Sequence, residues 1–252
     1  MDIKIVIPSL SRADILIERT LKTLEKYKVN PSSIYVFVVE DEKEEYKKKI
    51  NNFFINIITG KKGIAEIRGA ISNYFDEGDY ILTMDDDIKN VYELIGEKTF
   101  EIKTLNKLNT DVYNIIKDGG TCGIYPVNNP FFMKPYISHN LRFCIGAFRW
   151  FINNREIETS REFKLLEDYE VSLKYWLKYK ETHRLNYISL NHDFNKLKGG
   201  LKSVADRSFE KKKEEVIAFN EKYKLYTIIN DRYLKTGHKI DIRFKKCRSN
   251  ST

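Results

Sequence analysis

Tyr80-Ile81-Leu82-Thr83-Met84-Asp85-Asp86-Asp87-Ile88 joins a short run suited to a buried strand directly to three carboxylates. The β-branched and aromatic residues of 80–84 fit a strand covered on both faces. Similar runs lie upstream at 3–7 (Ile-Lys-Ile-Val-Ile), 34–39 (Ile-Tyr-Val-Phe-Val-Val) and 54–58 (Phe-Ile-Asn-Ile-Ile). Helical patterns separate them. Ile17, Leu21 and Leu24 recur on one face, as do Ile64, Ile67, Ile71, Tyr74 and Phe75, while 40–53, with Glu44, Tyr46 and Ile50, gives a weaker helical signal. Strands alternating with helices predict an α/β fold with a mostly parallel, doubly wound sheet, whose ligands bind outside the carboxyl ends of the strands. The acidic run stands at such an end.

The second half is less regular. A strand is expected at Cys122–Val127, followed by a loop through Asn128-Asn129-Pro130. A helix over 165–179 places Leu166, Tyr169, Leu173 and Trp176 on one face, and another over 209–223 carries Val216, Phe219 and Tyr223. A chain of 252 residues is long enough for one large domain. No internal repeat or low-complexity linker divides it.

Composition excludes several classes. Hydrophobic content of 42% and aromatic content of 13% exclude a disordered chain. No apolar run approaches the roughly 20 residues that span a bilayer, and the start, Met1-Asp2-Ile3-Lys4, reads as a first strand rather than a signal peptide. A soluble, cytoplasmic protein without a membrane partner is expected. Cys122, Cys144 and Cys247 are odd in number with no CxxC spacing, so free thiols are expected rather than disulfides or a zinc site. The net charge is +8, and residues 231–252 hold seven Lys and Arg against two Asp. That stretch is expected to be a basic tail beyond a domain of residues 1–230, suited to an anionic partner or simply solvated.

Three adjacent carboxylates repel one another unless a cation or solvent offsets the charge. A divalent ion is the economical explanation: oxygen ligands at a strand end can hold Mg²⁺ or Mn²⁺ against a diphosphate. An acidic turn capping a helix near Asn90–Leu94 is the plainer one.

Taken with Ile5-Val6-Ile7-Pro8-Ser9, Arg12, Glu40 and the Gly63-Ile64-Ala65-Glu66-Ile67-Arg68 helix start, this run resembles the donor half of GT-A fold glycosyltransferases over residues 3–90. The resemblance implies one GT-A, Rossmann-like domain, with a nucleotide-sugar half at 1–90 and an acceptor half at 91–230. It implies Asp85 and Asp87 as metal ligands, with Asp86 also possible and a donor contact along with Asp85. Pro8, Ser9, Arg12, Glu40, Gly63 and Arg68 are then further donor contacts. Taken without the resemblance, Arg12, Glu40 and Arg68 are a turn residue, an exposed strand end and a helix salt-bridge former.

Glu167-Asp168-Tyr169-Glu170 is similar to the acidic element that places a carboxylate beside the acceptor in many GT-A enzymes. It implies Asp168 as general base and Glu167 as an acceptor contact, although acids also favour a helix N-terminus without any catalytic duty. Some GT-A enzymes add a late histidine to the metal, which points to His192 and suits Mn²⁺ better than Mg²⁺. Lys196-Leu197-Lys198-Gly199-Gly200-Leu201, Arg207, Lys222-Tyr223 and the Met84–Ile88 form of the acidic run further resemble phage and viral glycosyltransferases associated with TET-like oxygenases. Those enzymes glycosylate hydroxymethylated pyrimidines in DNA. Lys198, Gly199 and Gly200 become donor-phosphate candidates, although two glycines flanked by lysines also suit a plain flexible loop. Residues 91–160 match no motif.

The expectation is a metal-dependent transferase that moves a sugar, glucose by the resemblance, from a UDP-sugar to a hydroxyl, with DNA as the favoured acceptor. Phe131, Phe132, Tyr136, Phe148 and Trp150 are candidates to stack on an extruded base, Trp150 foremost. A glycan or protein acceptor is the alternative. A nucleotidyltransferase would show a Gly-rich loop after the first strand, and Ile7-Pro8-Ser9-Leu10-Ser11-Arg12 has no glycine. A non-enzymatic nucleic-acid-binding module would leave the acidic run without a purpose.

Overall fold

The computed structural model describes residues 2–192, 208–234 and 237–246. Strand β1 (Ile3–Pro8) leads through α1 (Ala13–Leu16), a π-helical turn at Ile17–Leu21 and α2 (Lys22–Lys26) to β2 (Ile34–Val38). Next come α3 (Lys43–Ile50), β3 (Asn56–Thr59), α4 (Ile64–Tyr74) and β4 (Tyr80–Met84). Beyond the acidic run lie β5 (Ile88–Ile95), β6 (Lys98–Glu101), α5 (Asn106–Ile116), β7 (Thr121–Ile124), β8 (Ile137–Ser138) and β9 (Phe148–Ile152). They are followed by α6 (Arg155–Glu158), α7 (Glu167–Tyr179), β10 (His183–Leu185), β11 (Ile188–His192), α8 (Phe209–Lys222), β12 (Thr227–Leu234) and β13 (Gly237–Phe244).

The central sheet has eight strands in the order β3-β2-β1-β4-β9-β7-β10-β8. β3, β2, β1 and β4 are parallel, and β9 lies antiparallel between β4 and β7. Side chains alternate across it. Ile5, Ile7, Val36 and Leu82 pack with Leu16, Leu21, Leu24 and Tyr46 on one face, while Val6, Phe37 and Ile81 pack with Ile67 and Ile71 of α4 on the other. Each such side chain contributes roughly 1.5–3 kcal/mol by leaving water. The result is the expected mostly parallel α/β sheet flanked by helices, with its strand ends converging on Asp85–Asp87.

Two boundaries differ from expectation for local reasons. β3 begins at Asn56 because Phe54 takes a left-handed φ of 53° in the preceding turn and is 84% exposed. β7 stops at Ile124, just before Tyr125-Pro126, because proline supplies no N–H to continue a ladder.

The expected basic tail is a larger correction. β12 crosses the proposed boundary at residue 230 and pairs with β13 from Thr227 opposite Phe244 to Leu234 opposite Gly237. Ile240 and Ile242 are buried in a third cluster with Leu173, Trp176, Val216 and Phe219. Net charge hid a period-two pattern, Ile240-Asp241-Ile242-Arg243-Phe244, which puts apolar side chains on one face and polar ones on the other. No described helix is long and apolar enough to cross a membrane.

Candidate active site

The acidic turn is pinned through its backbone. The Asp85 N–H donates to the Ala147 carbonyl at 3.0 Å. The hydroxyl of Thr20, on the π-helical turn, donates to the Asp85 carbonyl at 2.8 Å and accepts from the Ile88 N–H at 3.0 Å. One buried threonine therefore fixes both sides of the run. Asp86 is turned inward, where its carboxylate accepts from the Ser9 hydroxyl at 2.7 Å and from the Arg12 guanidinium at 3.2 Å. Burial pushes Asp86 up to about 6, against the opposing pull of Ser9 and Arg12. Arg12 also lies 3.6 Å from Asp87, so one guanidinium serves two carboxylates.

This arrangement fits a divalent ion of one kind. Among the described residues, no group of three His, Cys, Asp or Glu ligands includes the acidic run, so it is not an all-protein cage. Mg²⁺ and Mn²⁺ commonly use one or two carboxylates and complete their shells with phosphate oxygens and water, which Asp85 and Asp87 can support at the cleft wall. Asp86 has both oxygens engaged and acts as a brace between β1 and the turn.

Across a cleft of about 210 Å³ stands the start of α7, with Glu167 and Asp168. Glu167 lies 3.1 Å from Arg68 of α4 and 3.1 Å from Arg161. Arg161 continues to Glu158, which meets Arg149 of β9 at 2.9 Å. Every side chain in this alternating chain is less than a tenth exposed. Burial would lower the Arg68 pKa, but Glu167, Asp168, Asp85 and Glu158 outweigh it and raise the value. Burial pushes Glu167 up to about 7, with Arg68 opposing.

Gly146 explains how close these groups come. A Cβ there would lie 2.2 Å from an Asp168 carboxylate oxygen and 2.4 Å from the Arg68 guanidinium, so a side chain at this position would displace both. The Gly146 carbonyl accepts from Arg68 at 3.2 Å. Ser172 bridges the same segment to α7, donating to the Asp168 carbonyl at 2.6 Å and accepting from the Cys144 N–H at 3.0 Å. Cys122 and Cys144 are free thiols, as expected, and both are buried, while Cys247 lies outside the described residues.

Pro8, Arg12, Arg68, Asp85, Asp86, Asp87, Glu167 and Asp168 line this one cleft. Ser9 lies beneath it, holding Asp86 and sharing a hydrogen bond with Tyr46 at 2.8 Å. Arg68 borders the cleft with its guanidinium committed to Glu167 and Gly146 rather than free for a nucleoside. Glu40 borders a neighbouring hollow of about 520 Å³ with Leu10, Gly60 and Lys62, and accepts from Thr59 at 2.6 Å. Gly63 is the N-cap of α4 at φ 113°, outside the lining. The backbone of His192 pairs with Ile88, the residue after Asp87. Lys198, Gly199 and Gly200, with the rest of the Lys196–Leu201 motif and Arg207, lie outside the described residues.

Trp150 corrects an expectation. It is fully buried on the opposite face of the sheet, packed in the core with its indole N–H donating to Asn109 at 2.9 Å. Phe148 is buried beside it, whereas Phe131, Phe132 and Tyr136 are exposed. Sequence reasoning also missed Thr20, Gly146 and the wall residues Phe143, Ile145, Lys164 and Tyr169. Only the small-residue run Gly146-Ala147 before a strand offered a signal.

No family model matches the chain, and no curated protein matches it. Among solved structures, a mycobacterial protein is similar at a TM-score of 0.52 and 11% identity, over 96% of this chain and 83% of its own. Mannosyl-3-phosphoglycerate synthase from Rubrobacter xylanophilus aligns at 0.47 and 10% identity over 98% and 85%. Glucosyl-3-phosphoglycerate synthase from Mycobacterium tuberculosis, solved with Mn²⁺, UDP-glucose and phosphoglyceric acid, aligns at 0.47 and 10% identity over 90% and 83%. At such identities the likeness to the mycobacterial protein is one of fold: an α/β chain with a mostly parallel central sheet flanked by helices.

Proposed function

We propose that the protein is a metal-dependent glycosyltransferase that moves a sugar from a UDP-sugar to a hydroxyl acceptor. The observation that carries this reading is the meeting, across one cleft, of the Asp85–Asp87 turn with Asp168. Asp85 and Asp87 would hold Mn²⁺ or Mg²⁺, which when bound neutralises charge on a departing diphosphate. The neighbouring hollow bordered by Glu40 and Lys62 offers room for the nucleoside. Asp168 takes the acceptor hydroxyl proton as that oxygen bonds to the sugar carbon, and the carbon's bond to the diphosphate breaks with its electron pair leaving on the nucleotide. A single carboxylate at the acceptor side of the cleft suits an in-line displacement with inversion.

The favoured acceptor is a hydroxymethylated pyrimidine in DNA. Tyr169, on the cleft wall, packs 5.4 Å from Phe244 of β13, which brings the cationic segment Arg243–Lys246 beside the cleft. Of the five aromatic candidates, Phe131, Phe132 and Tyr136 are the exposed ones and carry the stacking role.

The test is a nucleotide-sugar hydrolysis screen with Mn²⁺ and Mg²⁺, followed by transfer to hydroxymethylated DNA, glycans and protein. Metal-stimulated consumption of a UDP-sugar is expected, and its absence across all donors overturns the reading. Transfer to a neutral glycan alone, with no steep salt dependence, would retain the transferase and remove DNA.

A further inference from the structure

We propose that His139, Glu181 and His183 form a second metal site, separate from the cleft and suited to a borderline transition ion such as Zn²⁺. The Nδ1 atoms of His139 and His183 lie 2.9 Å apart, with the rings crossed at 77°. A Glu181 carboxylate oxygen is 3.4 Å from His183 Nε2, the other ring nitrogen, where it can accept the imidazole proton and hold Nδ1 toward the ion. One donor atom from each residue falls within 4.8 Å of the other two. Two imidazole nitrogens bound tetrahedrally at about 2.0–2.1 Å from zinc stand roughly 3.3 Å apart, so binding asks for only a few tenths of an ångström of widening.

The donor set separates this site from the acidic turn. Two imidazoles favour Zn²⁺, Co²⁺ or Ni²⁺, whereas hard all-oxygen ligation suits Mg²⁺ and Mn²⁺. Two imidazole ligands backed by Glu181 leave the remaining positions to water. None of the three residues lines the cleft.

The chain path gives the site its effect. His139 precedes Asn140–Arg142, which Thr182 already ties down by donating to the Asn140 carbonyl and accepting from the Arg142 N–H, both at 2.9 Å. That strap continues into Phe143, Ile145 and Ala147 of the cleft wall. A bound ion would cross-link the strap to the turn between α7 and β10, adding a bond outside the cleft that steadies its wall.

The experiment uses the full chain stripped with a chelator, titrated with Zn²⁺ by calorimetry and with Co²⁺ by visible absorption. One equivalent of Zn²⁺ is expected, with an intense tetrahedral-type Co²⁺ band and a rise in Tm on adding Zn²⁺. His139→Ala and Glu181→Gln, both at exposed positions, are expected to weaken binding at least tenfold while keeping the zinc-free Tm. Asp85→Asn/Asp87→Asn is expected to retain the zinc site. Equal Zn²⁺ binding by wild type and His139→Ala, or loss of it only in the Asp85/Asp87 variant, overturns the proposal. Because the readout is binding, its outcome is independent of whether transfer is detected.

Discussion

The two walls of the cleft handle negative charge in opposite ways. On the α7 side, Glu158 and Glu167 alternate with Arg68, Arg149 and Arg161, each carboxylate between two guanidiniums. On the acidic side, Arg12 is shared by Asp86 and Asp87. The first wall settles its charge within the protein, and the second keeps carboxylate capacity that suits a cation. A site that must hold one carboxylate rigidly and offer others to a ligand needs both arrangements.

The sharpest way to break this contrast is to remove charge from each wall in turn. Asp85→Asn or Asp87→Asn is expected to abolish metal-dependent turnover with the fold intact, read by donor hydrolysis and circular dichroism. Asp168→Asn is expected to lower transfer at least ~10²-fold while donor and metal binding persist. Collapse of donor affinity in Asp168→Asn would move that residue to the donor side.

Stability should separate the walls in the reverse sense. Glu158→Gln leaves Arg149 and Arg161 buried without their shared counter-charge, and removing one partner of a buried pair costs about 3–5 kcal/mol. Urea denaturation reads this directly, and a loss below about 1 kcal/mol would show that water reaches the chain. Trp150→Phe orphans the Asn109 oxygen in the core, at a cost of about 1–3 kcal/mol. Activity per folded molecule is expected to hold, and selective loss of acceptor affinity would return Trp150 to the site.

The smallest effect is a slope. Burial holds Glu167 near 7 in the folded state, above its ordinary value of 4.5. The folded protein therefore keeps a proton that the unfolded chain releases, and this contribution to stability is full below pH 4.5 and lost as pH rises through 7. Glu167→Gln is expected to flatten the decline of stability across that window, measured by denaturation at several pH values. An unchanged slope would mean that Glu167 is ionised throughout.

The two walls also differ in how legible they were. β1 to β4 and the acidic run could be read because each strand is a short apolar run ending at a polar turn. The opposite wall was legible only at Arg68, Glu167 and Asp168. Arg149, Glu158 and Arg161 are separated by loop and helix of no regular period, and their burial follows from pairing across elements that no local pattern records. The hairpin failed for another reason: counting Lys and Arg over 231–252 averaged away the alternation that buries Ile240 and Ile242.

Thr20 gives the acidic turn a mechanical character. Its hydroxyl clamps the backbone on both sides of Asp86 and Asp87 to the inserted turn of the first helix. The compliance of this wall therefore resides in side-chain rotamers, and the peptide chain behaves as a stiff frame. A frame of that kind responds to a ligand through side-chain rotamers rather than slow loop rearrangement. Amide hydrogen exchange at Asp85 and Ile88 should accordingly be slow before any ligand is added and change little afterwards. A large gain in protection on loading would place the flexibility in the backbone instead.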